Sequence, residues 1–110
     1  FAAMNADPAV MRHFAAPLAR AESDAFLAAL MLHEAAHGFT FWAVERHAAP
    51  GAIGLCGLVH VQWQARFTPA IEIGWRIAAA HWRQGHAEEA ARLALAAGFG
   101  PLGLGEIVSF

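Results

Sequence analysis

The sequence predicts a mixed α/β fold (α+β), a central, mostly antiparallel sheet flanked by helices, and three observations carry that prediction. Ile71, Ile73, Trp75 and Ile77 are bulky apolar residues at alternate positions, the two-residue period of a strand with one packed face. Beyond a glycine-containing connection, Trp82-Arg83-Gln84-Gly85-His86-Ala87, strong helix formers run from Glu88 to Ala97. Upstream, two more strand patterns are separated by a short turn, as antiparallel neighbours are.

In chain order, Asp7-Pro8 opens the first helix. Asp7 can cap free N–H groups and Pro8 has the φ of a first helical position, so a short helix is expected to about Phe14. Pro17 interrupts it. Ser23-Asp24 then start a second helix with Phe26, Leu27, Leu30 and Met31 at three-to-four spacing, ended by Gly38. Phe39 to Arg46 reads as a strand and Ala49-Pro50-Gly51 as a turn. The next strand, Ile53 to about Trp63, alternates Ile53, Leu55, Val59, Val61 and Trp63 against Cys56, His60 and Gln62, and Gly54 and Gly57 mark a bulge or close backbone approach. A loop from Arg66 to Pro69 leads into the strand around Ile71–Ile77, where Glu72, Gly74 and Arg76 share the second face. The long helix is expected to stop at Gly98 as a C-terminal cap, and a last strand to begin near Glu106.

Composition excludes several classes of function. The 110 residues suit a single domain or part of one, and a hydrophobic fraction of 58%, though rich in alanine, supplies a core. Seven Lys+Arg against nine Asp+Glu give a net charge of −2, without the clustered basic residues of a nucleic-acid-binding surface. The single cysteine, Cys56, rules out an intrachain disulfide and a cysteine-based zinc site, and fits a reducing compartment. No stretch reaches the roughly 20 apolar residues that cross a bilayer, and no basic region precedes an apolar signal core. A soluble, cytoplasmic protein with no membrane partner is expected.

The chemistry concentrates at the glycine turn. A helix opening on such a turn offers unpaired backbone N–H groups aimed at one point, with the helix dipole adding positive potential, and this is a phosphate site. Gly85 lets the backbone approach an anion, and the small Ala87 keeps the first helical turn from blocking it.

Glu72-Ile73-Gly74-Trp75-Arg76-Ile77 followed by Trp82-Arg83-Gln84-Gly85-His86-Ala87-Glu88-Glu89-Ala90-Ala91-Arg92 resembles the acetyl-CoA-binding segment of the GNAT acyltransferases, in particular the ribosomal-protein N-acetyltransferase (RimJ/RimL-like) branch. The family pattern is Q/R-x-x-G-x-G/A; its glycine and final small residue fall on Gly85 and Ala87, with Trp82 at the first position as is usual in the branch. Arg83 stands where glycine is common and His86 where tyrosine is common. The likeness extends over nearly the whole chain, from Asp7-Pro8-Ala9-Val10 to Glu106-Ile107-Val108. Full members of the family begin with a strand before the helix near Phe1 and continue after Phe110 with a helix and two strands. Either this is an excerpt of a longer chain or a truncated homologue that depends on partners. The excerpt is favoured, because a sheet ending on Ile107-Val108-Ser109-Phe110 would leave apolar surface and strand edges exposed.

What the resemblance implies is an acetyl-CoA-dependent N-acetyltransferase in which an amine acceptor, a protein N-terminus or a small molecule, attacks the thioester directly in a ternary complex. A homodimer is compatible with it. Glu72 matches the strand glutamate that takes the amine proton, often through water, because a protonated amine is no nucleophile. Backbone groups of Trp75 and Ile77 would pair with the pantetheine arm, and an N–H there would polarise the thioester carbonyl. Trp82, Arg83, Gln84, Gly85, His86, Ala87 and Glu88 would surround the pyrophosphate. Acetyl-CoA would enter where the strand over 70–78 parts from the one over 105–110.

Rival readings of the same residues are plainer or different in kind. Glu72 could be a strand residue salt-bridged to Arg76, Arg92 a helix-surface charge, and His60 and Gln62 an exposed pair rather than the wall of an acceptor cleft. Cys56 within an apolar strand reads as packing rather than as an acyl-enzyme nucleophile. A non-catalytic acyl-CoA-binding module of the same fold is the first alternative. The other is zinc hydrolysis: His33-Glu34-Ala35-Ala36-His37 is a literal H-E-x-x-H, whose histidines share one helix face. The helix is expected to end directly beyond His37, no third ligand stands at a familiar spacing, and no metal is assigned.

Overall fold

The computed structural model describes residues 1–14 and 16–109. Its elements are, in order, α1 (Ala2–Ala6), α2 (Arg20–His37), β1 (Phe41–Arg46), β2 (Ala49–His60), β3 (Ile71–Ile77), a 3-10 turn (Ala79–His81) and α3 (His86–Phe99). Among the described residues the three strands form one sheet in sequence order, antiparallel throughout, and the mixed α/β class expected from the sequence is the observed one.

Cross-strand partners share a face of a sheet. The register Phe41↔Gly57↔Gly74 and Leu55↔Arg76 therefore turns Phe41, Leu55, Glu72, Gly74 and Arg76 one way, and Cys56, Leu58, Ile73 and Ile77 the other. The first face packs under the N-terminal third of the chain, where Met4, Val10, Met11 and Leu55 are buried with Leu18, Phe26 and Phe41 against them. The second packs under α3, with Phe39, Cys56, Leu58, Ile73 and Ala94 buried and Leu104 and Ile107 closing the edge. Leu58, fully buried at the centre, contributes about 1.5–3 kcal/mol of burial by itself. Both close-approach glycines of β2 do what the sequence required: a Cβ on Gly54 would strike the backbone of Arg76, and one on Gly57 the backbone of Thr40.

Several boundaries differ from expectation, each for a local reason. The first helix precedes Asp7 instead of following it. The Asp7 carboxylate accepts the Ala9 N–H at 2.9 Å, and residues 8–13 make turns rather than a helix. α2 begins three residues before Ser23, because Glu22 Oε1 reaches back to the Ala19 N–H at 3.0 Å, while Ser23 is buried inside the helix and accepts from Asn5 Nδ2 at 2.8 Å. Gly38 is the expected cap, at φ 82° with its N–H on the Glu34 carbonyl.

The hairpin turn falls on His47 and Ala48 rather than on Ala49-Pro50-Gly51, which belongs to a β2 that starts earlier and ends at His60. Gly98 is not a cap. α3 continues through it to Phe99, and an added Cβ at Gly98 would stand 2.6 Å from Ile107 Cδ1 and 3.0 Å from Leu58 Cδ1, so the glycine is there for packing. In place of a regular last strand there is a single parallel bridge, Glu72↔Val108; Phe110 lies outside the described residues.

Candidate active site

β3 positions the site through the alternation of its backbone. Ile73 donates its N–H to the Val108 carbonyl and Val108 its own to the Ile71 carbonyl, both at 2.9 Å, so the odd residues of β3 direct their backbone groups away from β2. Among the described residues the pairing on that side is limited to this bridge. Further along, Trp75 and Ile77 line a cavity of about 330 Å³ together with Arg76, His81, Trp82 and Ala87. The Trp82 indole donates to the Ile77 carbonyl at 2.7 Å, which ties the turn to the strand end and leaves the N–H as the group of Ile77 open to a ligand. Trp75 is 47% exposed, outside the core that its alternation with Ile73 and Ile77 would place it in, because it stands at this open edge.

The turn into α3 leaves backbone amides open, an arrangement that can take an anion. Arg83 has φ 60° and Gly85 φ 80°, two left-handed residues separated by one. The glycine common at position 83 in the resembling family is thereby explained, since this backbone conformation costs a residue with a Cβ roughly 1–2 kcal/mol. The first helical bond is Glu89 N–H to the Gly85 carbonyl, and no side chain caps the helix, so the amides of His86, Ala87 and Glu88 open the turn unclaimed by a cap. An atom added at Gly85 would meet nothing within 4 Å.

The side chains expected here divide. Trp82 and Ala87 face the cavity. Gln84 and His86 hold each other at 3.1 Å, and His86 lines a separate cavity with Arg46 and His47 on the other flank. Glu88 is paired with Arg92 at 2.7 Å in an exposed i,i+4 bridge, the helix-surface role considered for Arg92.

A second cavity, about 580 Å³, continues from the first along β3, sharing His13, Phe14, Trp75 and Arg76 with it and reaching Phe41, Trp63, Glu72 and Ser109. Glu72 also lines a third, of about 510 Å³, walled by Phe26, Leu30, His37, Val59 and His60. Phe41, Trp63 and Glu72 are common to the second and third, so the carboxylate stands where two cavities meet. Gly74 makes room for this arrangement: a Cβ there would stand 2.9 Å from the Phe41 ring.

Burial raises the pKa of the Glu72 carboxyl from its ordinary value, the direction that makes its carboxylate a better proton acceptor. The Glu72–Arg76 ion pair considered from the sequence is not formed. Arg76 instead donates from Nη1 to Asn5 Oδ1 at 2.6 Å, with its guanidinium 4.4 Å from the Phe14 ring centre, and desolvation lowers its pKa. Burial pushes the Cys56 thiol up to about 11, which leaves no thiolate at neutral pH and bears out the packing role.

His33 is held at both nitrogens. Nδ1 meets the Phe39 carbonyl at 2.8 Å and Nε2 accepts the His60 N–H at 3.0 Å, so the ring carries its proton on Nδ1 and joins the end of α2 to the end of β2. The Glu34 carboxylate takes the Trp42 indole N–H at 3.1 Å, away from these rings. The third imidazole that the sequence did not supply near His33 and His37 comes from β2, as His60. Burial, and then the neighbouring His37 and His33, lower the pKa of His60.

Sequence reasoning missed His13, Phe14, His81 and Trp63 as cavity walls. His13, Phe14 and His81 lie on turns, where no periodicity reports direction, and Trp63 lies beyond the end of β2, which stops at His60 instead of carrying the expected alternation to Trp63.

No helix among the described residues is long and apolar enough to cross a membrane. The chain is similar to an uncharacterized protein, YkkB, of Bacillus subtilis (strain 168), with 28% identity over 103 residues that cover 94% of this chain; it spans 59% of that relative's length. The model of the acetyltransferase (GNAT) domain family matches residues 1–110. With that match running through the uncapped turn, the parted strand and Glu72, the chain belongs to the GNAT acetyltransferase family.

Proposed function

We propose that the protein is an acetyl-CoA-dependent N-acetyltransferase of the RimJ/RimL-like branch, acting on a primary amine of a protein N-terminus or a small molecule, in the cytoplasm. Acetyl-CoA supplies the activated acyl group as a thioester. The pyrophosphate rests on the amides of His86, Ala87 and Glu88, over the space left open at Gly85. The pantetheine arm follows β3, where the N–H groups of Trp75 and Ile77 face the cavity side, and one of them hydrogen-bonds the thioester oxygen as negative charge develops there.

The acceptor enters by the cavity of about 510 Å³. Its ammonium proton passes to Glu72, directly or through one water; the freed nitrogen lone pair attacks the thioester carbon, the C–S electron pair leaves with the CoA sulfur, and the second proton shed by the new amide nitrogen neutralises that thiolate. A direct transfer of this kind needs no enzyme nucleophile, in keeping with the protonated state of Cys56.

The observation that carries the proposal is the position of Glu72 at the meeting of the two cavities. The test is Glu72→Gln in the full-length protein. Turnover on an amine panel is expected to fall about a hundredfold or more, the usual contribution of a general base, while CoA affinity is retained. Unchanged turnover removes Glu72 as the base, and an intact wild type that binds CoA but acetylates no amine is a binding module instead.

A further inference from the structure

His33 and His37 lie one turn apart on α2, and His60 reaches them from the end of β2. One nitrogen from each ring can be chosen so that all three lie within 4.8 Å of one another. The ring centres of His37 and His60 are 4.2 Å apart, and those of His33 and His37 4.5 Å. In a tetrahedral zinc site with Zn–N of about 2.0–2.1 Å the ligand nitrogens stand roughly 3.4 Å from each other. Nitrogens as far as 4.8 Å apart need to close by about 1.4 Å, and His37, which is exposed, is free to turn.

His33 already has the tautomer that a ligating imidazole needs. Its Nδ1–H is held by the Phe39 carbonyl, the backbone bond that commonly fixes the tautomer of a metal ligand, and its Nε2 lone pair points at the end of β2. To take a metal, the ring turns its Nε2 lone pair off the His60 N–H, which now stands 3.0 Å along it. All three groups are nitrogen donors of intermediate softness, a set that suits zinc, nickel or copper and does not suit magnesium or calcium.

We propose that His33, His37 and His60 form a binding site for one divalent transition metal of the zinc class, with its fourth position open to the cavity that Glu72 also lines. The carboxylate of the H-E-x-x-H sequence, Glu34, is bonded to Trp42, so the metalloprotease arrangement of that motif is not formed. The site borders the acceptor cavity and leaves the acetyl-CoA groove untouched, so a bound metal narrows the room for the amine and not for the thioester. The three imidazoles wall the acceptor cavity but take no part in the proton or acetyl transfer, so either proposal can fail while the other stands.

Calorimetric titration of zinc into metal-stripped full-length protein tests it, with cobalt as a spectroscopic probe of tetrahedral nitrogen ligation. One equivalent per chain is expected to bind in the micromolar range or tighter, and His37→Ala and His60→Ala are each expected to weaken it about tenfold or more. His37 is exposed, so its variant keeps the fold, which a thermal melt verifies. Wild-type protein that takes up no zinc at such concentrations, or zinc binding equally tight in His37→Ala, overturns the site.

Discussion

Glu72 shows how one residue's surroundings give it a task. Its pKa is raised by burial, so the folded protein holds the proton to a higher pH than the unfolded chain does. The folded state then binds more protons in the window between the ordinary value of about 4.3 and the raised one, and stability falls as pH rises through it. Glu72→Gln is therefore expected to melt at a higher temperature than the wild type at pH 7 and at the same temperature at pH 3; a variant that melts lower at pH 7 contradicts the desolvated carboxylate. Activity has the opposite sign. Wild-type turnover at saturating substrates should rise with pH as Glu72 loses its proton, and the Gln variant should lack that limb. The sequence made Glu72 legible by its place in the strand and before the glycine turn, but its two-sided exposure was not, because that depends on Phe41 and Trp63, which are distant in sequence.

Among the elements, α3 was legible in type and place and misread at its end. Gly98 has the identity of a cap, and only the third dimension shows Ile107 and Leu58 occupying the space a Cβ would need. Gly98→Ala is expected to destabilise the protein by about 1–3 kcal/mol, an overpacking cost, measured by urea unfolding; a change near zero would mean that the Ile107 segment gives way freely. The opposite end of the helix was legible to within two residues, since the strong helix formers begin at Glu88 and α3 opens at His86, directly after Gly85. The first helix was misplaced because the Asp7 side chain can cap a helix or close a local turn, and here the turn to Ala9 prevails. The hairpin turn moved for a similar reason: Pro50 and Gly51 have turn propensity, but pairing Arg46 with Ala49 closes the chain earlier.

For the whole molecule, the fold separates two tasks on one strand. β3 exposes its outer backbone edge to the groove that runs from Ala87 to Ser109, and its face to the cavity beside α2. Two openings that meet at one carboxylate predict a sequential mechanism in which both substrates are bound at once. Initial-rate lines at varied acetyl-CoA should intersect, and Cys56→Ala should keep turnover within about threefold, since its thiol lies in the core and takes no part. Parallel lines, with activity lost in the Cys56 variant, would require an acyl-enzyme. The overall class was legible from periodicity alone, whereas the convergence of His33, His37 and His60 was not, because a helix end and a strand end 23 residues apart meet only through the packing of α2 on the sheet.

The claim on which the rest depends is that the amides opening α3 hold the pyrophosphate in the groove floored by Ala87. Titration calorimetry of CoA into the full-length wild type and into Ala87→Phe measures it most directly. The account predicts binding by the wild type and a loss of about tenfold or more in the variant, whose ring would fill the cavity of about 330 Å³. Equal affinity in the two proteins, or no binding by a folded wild type, would contradict it.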